Sequence, residues 1–587
     1  MYLRKTKRRN RDGSEVHYYQ LAENVWDPQR GCAVAKVIYN FGRADQVDGE
    51  KLRRLAASIV RVFSDGAKAA ADAEQLSLRE SWPYGGLYVM EQLWKELGIG
   101  EELNRCIGRN RTRQPFERAL FAMVANRALC PYSKLYCWEQ WLREEVFLPS
   151  ATGLGLHHLY RAMDFLEEHK AEIEQAIYFK MADLLNADVD LIFYDTTSLH
   201  FEVDEEDEAE LAKKFSRETR QYKPLRKRGH SKNGRGDAPQ IVVGLAVTRD
   251  GLPVRSWVFS GQTADVTTVE KVKADLRGWR LGRCVLVGDA GMNSQANRHA
   301  LALGNGKFIL AAKMRAGDEV TTQVLTRAGR YHDIADNLRV KEVIVGDGER
   351  RQRYVLCHNP DEQKRQRQRR AKLLAELEAE LESMQTRRDS QHSKRACELI
   401  TSGRYGRYLR ETSTGKLLID RGAIEEAERY DGKWVISSND DTLTVEDLAL
   451  GYKQLLRVEH CWRQLKSSIR MRPVFHYRPW RIQAHVSISI LALLLERIAE
   501  IRGGDTWRNI LAQLDTIKVV EYDRGEARIR QTTDVGKQVQ ALLAKLGVTL
   551  PPKLHAVLQR PDLPSRESGS LQPPTAEPAE PSEHVDA

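Results

Sequence analysis

Residues 190–202 read DLIFYDTTSLHFE, and they mark the point where the period of the chain changes. Apolar and β-branched residues run into an acid, Asp195, which predicts a strand. Upstream, from about 46 to 185, segments such as LYVMEQLWKELGI, PFERALFAMVANRAL and LYRAMDFLEEHKAEIEQAIYFKMADLL carry apolar residues at spacings of three and four. That spacing predicts helices, punctuated by Pro115, Pro131 and Pro149. Downstream, QIVVGLAVTR and PVRSWVFSG flank the turn signal Asp250-Gly251 and predict a hairpin with the first strand. ADVTTVEKVKADLRG then reads as a helix, and CVLVGDAG as a buried strand ending in Asp289. NSQANRHALALG is a helix capped by Asn293 or Ser294, and KFILAAKM a further strand. Strands that alternate with helices after an antiparallel start imply an α/β fold, a mixed sheet with helices on both faces.

This order resembles a ribonuclease-H-like core, which still needs a last helix. Residues 316–431 interrupt it. They begin with a hairpin around Gly346-Asp347-Gly348 and continue as a charged helix, basic in its first half and acid-rich in its second. DGKWVISSND then predicts a strand returning to the core. The stretch 451–476, GYKQLLRVEHCWRQLKSSIRMRPVFH, supplies the helix. It has no Pro or Gly between Tyr452 and Met471, and Leu455, Leu456, Val458, Trp462, Leu465 and Ile469 recur at helical spacing. The expectation is one amphipathic helix of about five turns. Tyr452, Glu459 and Lys466 are spaced by seven and seven, so they line one side with a drift of roughly 20° per step. PWRIQAHVSISILALLLERIAEIR predicts a further core helix.

The expected organisation is then a β-rich segment over 1–45 and a helical domain over 46–185. The core follows at 186–315, the insertion at 316–431, the final core helices at 432–505, a helical region at 506–550 and a disordered Pro-, Ser- and Glu-rich tail at 551–587. In the first segment, Arg4, Lys5, Lys7, Arg8, Arg9 and Arg11 cluster on one strand and its turn, either touching nucleic-acid phosphates or guarding a sheet edge.

The chain has 587 residues, enough for several domains and at least one sizeable core. Its net charge of +10, from 92 basic and 82 acidic side chains, favours a polyanionic partner modestly, so the placement of charge matters more than its sum. The acidic run DEEDEAE precedes a basic, glycine-containing loop from 213 to 236, which holds Lys213, Lys214, Arg217, Arg220, Lys223, Arg226, Lys227, Arg228, Lys232 and Arg235. By composition that loop is mobile and suited to a nucleic-acid backbone. The eight cysteines form no CxxC pair and predict neither a zinc site nor a disulfide framework, which fits a reducing cytosol. His157 and His158 have no spaced partner. No apolar region follows the basic N-terminus, and the longest apolar run, 490–495, is too short to span a bilayer, so no membrane role is expected.

Chemistry is carried by three acids. Asp195 and Asp289 each end a hydrophobic run, where ligands bind in open α/β sheets, and Glu459 sits on the last helix. In a ribonuclease-H-like core the first and fourth strands are neighbours, which makes the two Asp adjacent. Three carboxylates close together repel unless a hard cation joins them, and Mg²⁺ takes oxygen ligands and substrate phosphate.

On these residues the chain resembles the DDE transposases of bacterial insertion sequences, in the insertion-sequence-4 superfamily. That group carries a Tyr-x2-Arg-x3-Glu-x6-Lys signature, matched by Tyr452, Glu459 and Lys466 with Leu455 at the Arg position and Arg457 and Arg463 nearby. YDTTSLHFE, GHSKNGRGDAPQIVVGLAV, FSGQTADVTT, VLVGDAGMNS and RPVFHYRPWRIQAHVSISILALLL resemble it as well. The resemblance implies metal-dependent cut-and-paste transposition. Asp195, Asp289 and Glu459 would hold two Mg²⁺, for which Mn²⁺ can substitute, and Tyr452, Lys466, Arg457, Arg463, Arg226, Lys227, Arg228, Lys232 and Arg235 would contact DNA. It implies double-stranded DNA as partner, at terminal inverted repeats and at the target, and a homodimer on paired ends. It also implies action in the bacterial cytosol on the nucleoid. Two other classes share features with this reading. One is a metal-dependent nuclease on the same core. The other is a non-catalytic DNA-binding descendant, in which the three acids would be free to decay.

Overall fold

A computed structural model describes residues 2–9, 15–27, 32–47, 76–110, 113–184, 190–213, 219–232, 234–279, 284–315, 319–348, 351–384, 389–413, 415–524 and 527–559, with single residues at 49, 52, 54, 56 and 281. It divides into two compact units, Trp82–Lys518 with Asp534–Pro551, and the remainder. Arg11, Asp12, Gly13, Pro28, Lys214 and Arg217 lie outside the described residues.

In the smaller unit, the β-rich segment expected over 1–45 is an antiparallel meander of β1 (Tyr2–Arg9), β2 (Glu15–Asp27) and β3 (Cys32–Arg43). Strand β4 (Leu76–Pro83) lies within 46–185, so the helical expectation for that stretch fails at 76–83.

The larger unit opens with helices, the longest regular α-helices among them α1 (Gly85–Glu96), α2 (Ile99–Arg109), α3 (Phe116–Leu129) and α4 (Leu156–Leu184), with a further helical stretch over 134–145 between the last two. The core strands and helices follow in the expected order. They are β5 (Leu191–His200), β6 (Glu210–Lys213), β7 (Thr219–Tyr222), β8 (Gln240–Val247), β9 (Pro253–Ser260), α5 (Asp265–Gly278), β10 (Val285–Gly288), α6 (Gln295–Ala302) and β11 (Lys307–Ala312). The Ser294 hydroxyl, not Asn293, caps α6 by accepting from Asn297 N.

The insertion holds β12 (His332–Ala335), β13 (Leu338–Val345), β14 (Gln352–His358), α7 (Pro360–Met384), α8 (Asp389–Thr401), β15 (Leu409–Glu411), β16 (Leu417–Ile419) and α9 (Arg421–Glu428). Its first three strands do not form a separate body. With β17 (Lys433–Ser438) they extend the central sheet to nine strands, ordered β12-β13-β14-β17-β11-β10-β5-β8-β9. The sheet is parallel at β5-β10-β11 and antiparallel elsewhere, because β17 runs against both β11 and β14. The Tyr-Val-Leu-Cys run of β14 is thus buried by the sheet it joins, a pairing that local pattern cannot reveal.

The expected five-turn helix is two helices, α10 (Val445–Lys453) and α11 (Leu456–Lys466). No Pro or Gly breaks it at 454–455. Rather, α10 packs over β10, β11, β13, β14 and β17, whereas α11 packs over β5 and β8, so tertiary contact overrides a locally continuous pattern. Next comes α12 (Pro479–Gly503), with Pro at its first turn and Gly504 closing it at φ 71°. It is long and apolar enough to cross a membrane, yet 89% of its most apolar window is buried, against α3, α4 and β9. A helix apolar all round is accounted for here as the joint core of helices and sheet. The boundary expected near 185 therefore separates no compact bodies, and α1–α4 share one core with the sheet.

Between α11 and α12 the chain is tied to α3. Arg127, 4% exposed, donates to the carbonyls of Ile469 and Arg470, the latter at 3.0 Å, and His485 of α12 meets the carbonyl of Met471 at 2.9 Å. Arg470 there adopts a left-handed φ of 49°.

After α13 (Trp507–Leu514), the region expected to be helical carries β18 (Lys518–Arg524), β19 (Ala527–Thr532) and α14 (Lys537–Leu546). The expected tail begins instead with a strand, β20 (Leu554–Gln559), and residues 560–587 lie outside the described set. In the smaller unit these strands form a sheet ordered β20-β19-β18-β4.

Candidate active site

Strand register sets the first two acids. β5 and β10 pair in parallel with Phe193 opposite Val287. Two residues further on, Asp195 and Asp289 leave the ends of that pairing side by side. Asp195 is not at the end of β5, however. The strand continues to His200 against β8, with Asp195 opposite Leu245. Asp289 ends β10 and caps the following turn, its Oδ1 accepting from Gly291 N at 2.9 Å.

Glu459 lies in the first turn of α11, over β5 and β8, and is exposed. Tyr452 belongs to the other helix, yet the break in the chain does not separate it from the acids. Its hydroxyl is raised above the usual phenol range first by burial and then by Asp289, Glu459 and Asp195, so the four side chains share one locality. Lys466, half-buried, is lowered by burial and by Arg472, raised by Asp195, and lowered again by Lys232, which places it on the Asp195 side.

Burial pushes the Asp195 carboxyl up to about 6, Lys232 pulls it down, and Asp289 and Asp265 add to the rise. Lys232 Nζ lies 3.8 Å from Asp195 Oδ1 and donates to Thr196 O at 2.8 Å and Thr196 Oγ1 at 2.7 Å. An ammonium thus sits among oxygens, beside the Asp195 carboxyl that Asp289 and Asp265 help to raise. The donor set contains oxygen only, and it fits a hard divalent cation. The residues able to hold one are Asp195, Asp289 and Glu459.

The remaining candidates are placed differently. Leu455, at the signature's Arg position, is buried. Arg457 is exposed, near the turn at Gly251. Arg463 lines a cleft of about 1020 Å³ with His460, Glu496 and Trp507. In the loop, Arg226 is nearly buried against Asp207 at 2.6 Å, and Lys227 meets Glu206 at 3.1 Å. Arg228 donates to Asp204 O and Asp237 O, and Arg235 pairs with Asp237 and Glu202. The acidic run thus pairs with Arg226 and Lys227, acids on either side of it pair with Arg235, and the loop is also braced by β6-β7 and a bridge from Lys227 to Gln240.

Sequence reasoning missed Asp265, the first residue of α5, whose Oδ2 lies 2.8 Å from Lys232 Nζ. It also missed a cluster in the helical part, where ligand atoms of Cys106, His169 and Glu172 lie within 4.8 Å of one another. There Arg109 already holds Glu172 at 2.6 Å and the Cys106 thiol at 3.1 Å, so the cluster is closed by guanidinium. Helical spacing of Glu102 to Cys106 and of His169 to Glu172 was its only signal.

Residues 3–72 match the model of the IS1634 family transposase N-terminal domain, and residues 211–495 match that of the transposase DDE domain. The second match contains Asp289, Tyr452, Glu459 and Lys466 and begins after Asp195. No curated protein matches the chain. A solved structure described as a cryo-EM structure of piggyBac transposase synaptic complex with hairpin DNA is 11% identical. The alignment covers 73% of this chain and 78% of that one, with a TM-score of 0.32, too low to carry an argument. The two family matches mark a DNA transposase of the DDE class, an enzyme that cleaves and transesterifies DNA. They name IS1634 and support the expected superfamily only to the level of a DDE transposase.

Proposed function

We propose that this transposase moves an insertion sequence by metal-dependent cut-and-paste chemistry, on a ribonuclease-H-like core, with Asp195, Asp289 and Glu459 holding two Mg²⁺ or Mn²⁺. What supports the reading is the parallel register of β5 and β10, which sets Asp195 beside Asp289, together with the shared action of Asp289, Glu459 and Asp195 on Tyr452 and the Lys232 ammonium 3.8 Å from Asp195. When bound, such a pair of cations activates the attacking oxygen and stabilises the leaving one. Tyr452 and Lys466 hold phosphates on either side of the scissile bond. Lys466 shares a cleft of about 550 Å³ with Arg472, Phe475 and Tyr477, open enough for a DNA strand end. Lys232 and the exposed Arg457 and Arg463 add backbone contacts, while Arg226, Lys227, Arg228 and Arg235 serve mainly to fix the loop. The Tyr452-Glu459-Lys466 spacing supports placement in the insertion-sequence-4 group. The protein works as a homodimer on paired terminal repeats, in the bacterial cytosol.

The test pairs strand cleavage with strand transfer on a DNA substrate bearing the inverted repeats that bound the gene. Both steps are expected in Mg²⁺ and neither in chelator. Cleavage without transfer would make the protein a metal-dependent nuclease, and end binding without cleavage a non-catalytic DNA-binding descendant.

A further inference from the structure

Asp265 stands outside the three acids of the DDE reading, yet its contacts lie among theirs. Its Oδ1 accepts from Thr196 Oγ1 at 2.5 Å, next in sequence to Asp195, and its Oδ2 lies 2.8 Å from Lys232 Nζ. Lys232 Nζ is therefore surrounded by Thr196 O, Thr196 Oγ1, Asp265 Oδ2 and, at 3.8 Å, Asp195 Oδ1. An all-oxygen environment, two of its members carboxylates, is that of a hard cation. On the other side, a Cβ added at Gly291 would stand 3.2 Å from Asp289 Oδ1 and 3.7 Å from Asp265 Oδ2, so those two oxygens lie at most about 7 Å apart. Asp265 thus reaches toward both strand acids, and the helix start that carries it favours negative charge there.

We propose that Asp265 is a fourth carboxylate of the cation site, and that Lys232 is its resident counter-charge, holding Asp195 and Asp265 together until a divalent cation takes its place. The inference rests on the reading of the acids as a metal site. With no positive charge between them, Asp195 and Asp265 would repel at short range. A compact ammonium on a flexible stem satisfies both and can leave, as a rigid guanidinium fork could not. Once displaced, Lys232 stays beside the site as a free cation for a DNA phosphate.

The experiment titrates Mn²⁺ into the full-length protein without DNA, read by the paramagnetic resonance of free Mn²⁺, for wild type and for Asp265→Asn, Asp265→Glu, Lys232→Met and Asp195→Asn. Asp265→Asn should weaken binding by about tenfold or more, Asp265→Glu should recover part of it, and Lys232→Met should tighten it several-fold. If Asp265 merely anchors the loop lysine, Asp265→Asn frees Lys232, and Mn²⁺ binding then stays unchanged or tightens, which overturns the proposal. Weaker binding by Lys232→Met overturns the counter-charge role. Asp195→Asn separates this failure from that of the function. If it too binds Mn²⁺ as wild type does, the metal reading falls, whereas if it loses binding and Asp265→Asn does not, only the fourth carboxylate falls. Circular dichroism of each metal-free variant identifies misfolding, and the Asp265→Glu recovery remains decisive if Asp265→Asn is unstable.

Discussion

The acids and the basic loop meet opposite fates. Asp195, Asp289 and Glu459 come from segments far apart in sequence. The register of β5 and β10 brings the first two side by side, and α11 carries the third over β5, with Lys232 and Lys466 on the Asp195 side. Arg226, Lys227, Arg228 and Arg235 come from one short segment, and acids a few tens of residues away or fewer take most of their charge. Charge density along a sequence is therefore a poor guide to charge presented by a surface. Charge that the fold draws together from distant segments is the better guide to chemistry.

The comparison breaks first at the acids. Asp195→Asn, Asp289→Asn or Glu459→Gln should each lower strand cleavage by at least about 100-fold, beyond what loss of a group merely supporting a ligand costs, with end binding retained. A gel shift alongside the cleavage assay checks this, and near wild-type cleavage by any one removes that residue from the site.

Arg226→Ala should instead act on stability. Its buried pair with Asp207 and its stacking near Phe201 and Tyr477 predict a loss of about 3 kcal/mol in denaturant unfolding. The exposed Arg235→Ala should leave stability close to wild type, since solvent screens its pairs with Asp237 and Glu202. If Arg226→Ala leaves stability unchanged but weakens DNA binding, the loop is the nucleic-acid surface that its composition suggested.

Between these lie the signature residues. Tyr452→Phe should cost about 1.5–3 kcal/mol in the chemical step, the worth of one hydrogen bond to a charged group. Lys466→Ala should lower the salt slope of end binding by about one, and should impair strand transfer more than first-strand nicking. If Lys466→Ala matches wild type in both steps and in slope, that end of α11 is only a solvated face.

A third cluster sharpens the contrast by being basic without acids. Lys134, 3% exposed, is pushed down to about 7 by burial and by Arg127, with no carboxylate among the groups acting on it. The unfolded chain keeps its proton up to the ordinary value of 10.5, so between about 7 and 10.5 the unfolded state binds more protons. This group's contribution to stability therefore rises with pH across that window. His476, held near 3 by burial and by Lys134, contributes a similar rise between about 3 and 6.5. Lys134→Met should flatten the upper window and raise stability at pH 7, and thermal unfolding across pH measures both.

Local pattern made much of this legible. The strand-helix order from β5 to β11, the helices before it and the three acids all follow from runs of like period ending in Asp or from heptad spacing. What the sequence hid was long-range. Nothing at 338–358 tells that β13 and β14 join the central sheet, because partners set strand pairing. Nothing at 454–455 announces a break, since each half follows different strands. Asp265 read as an ordinary helix start, and only Lys232 and Thr196 give it a role.

The hold of Arg127 on the carbonyls of residues 469–470 bears on how such elements evolve. A chimera that joined this catalytic half to the helical half of a distant relative would inherit every acid intact. It would lose the side chain that steadies the turn leaving α11, unless the donor brought an equivalent guanidinium to the same spot. The two halves are therefore constrained to be inherited together, and successful exchange between relatives is expected at the insertion, where α7–α9 pack around a hydrophobic cluster of their own.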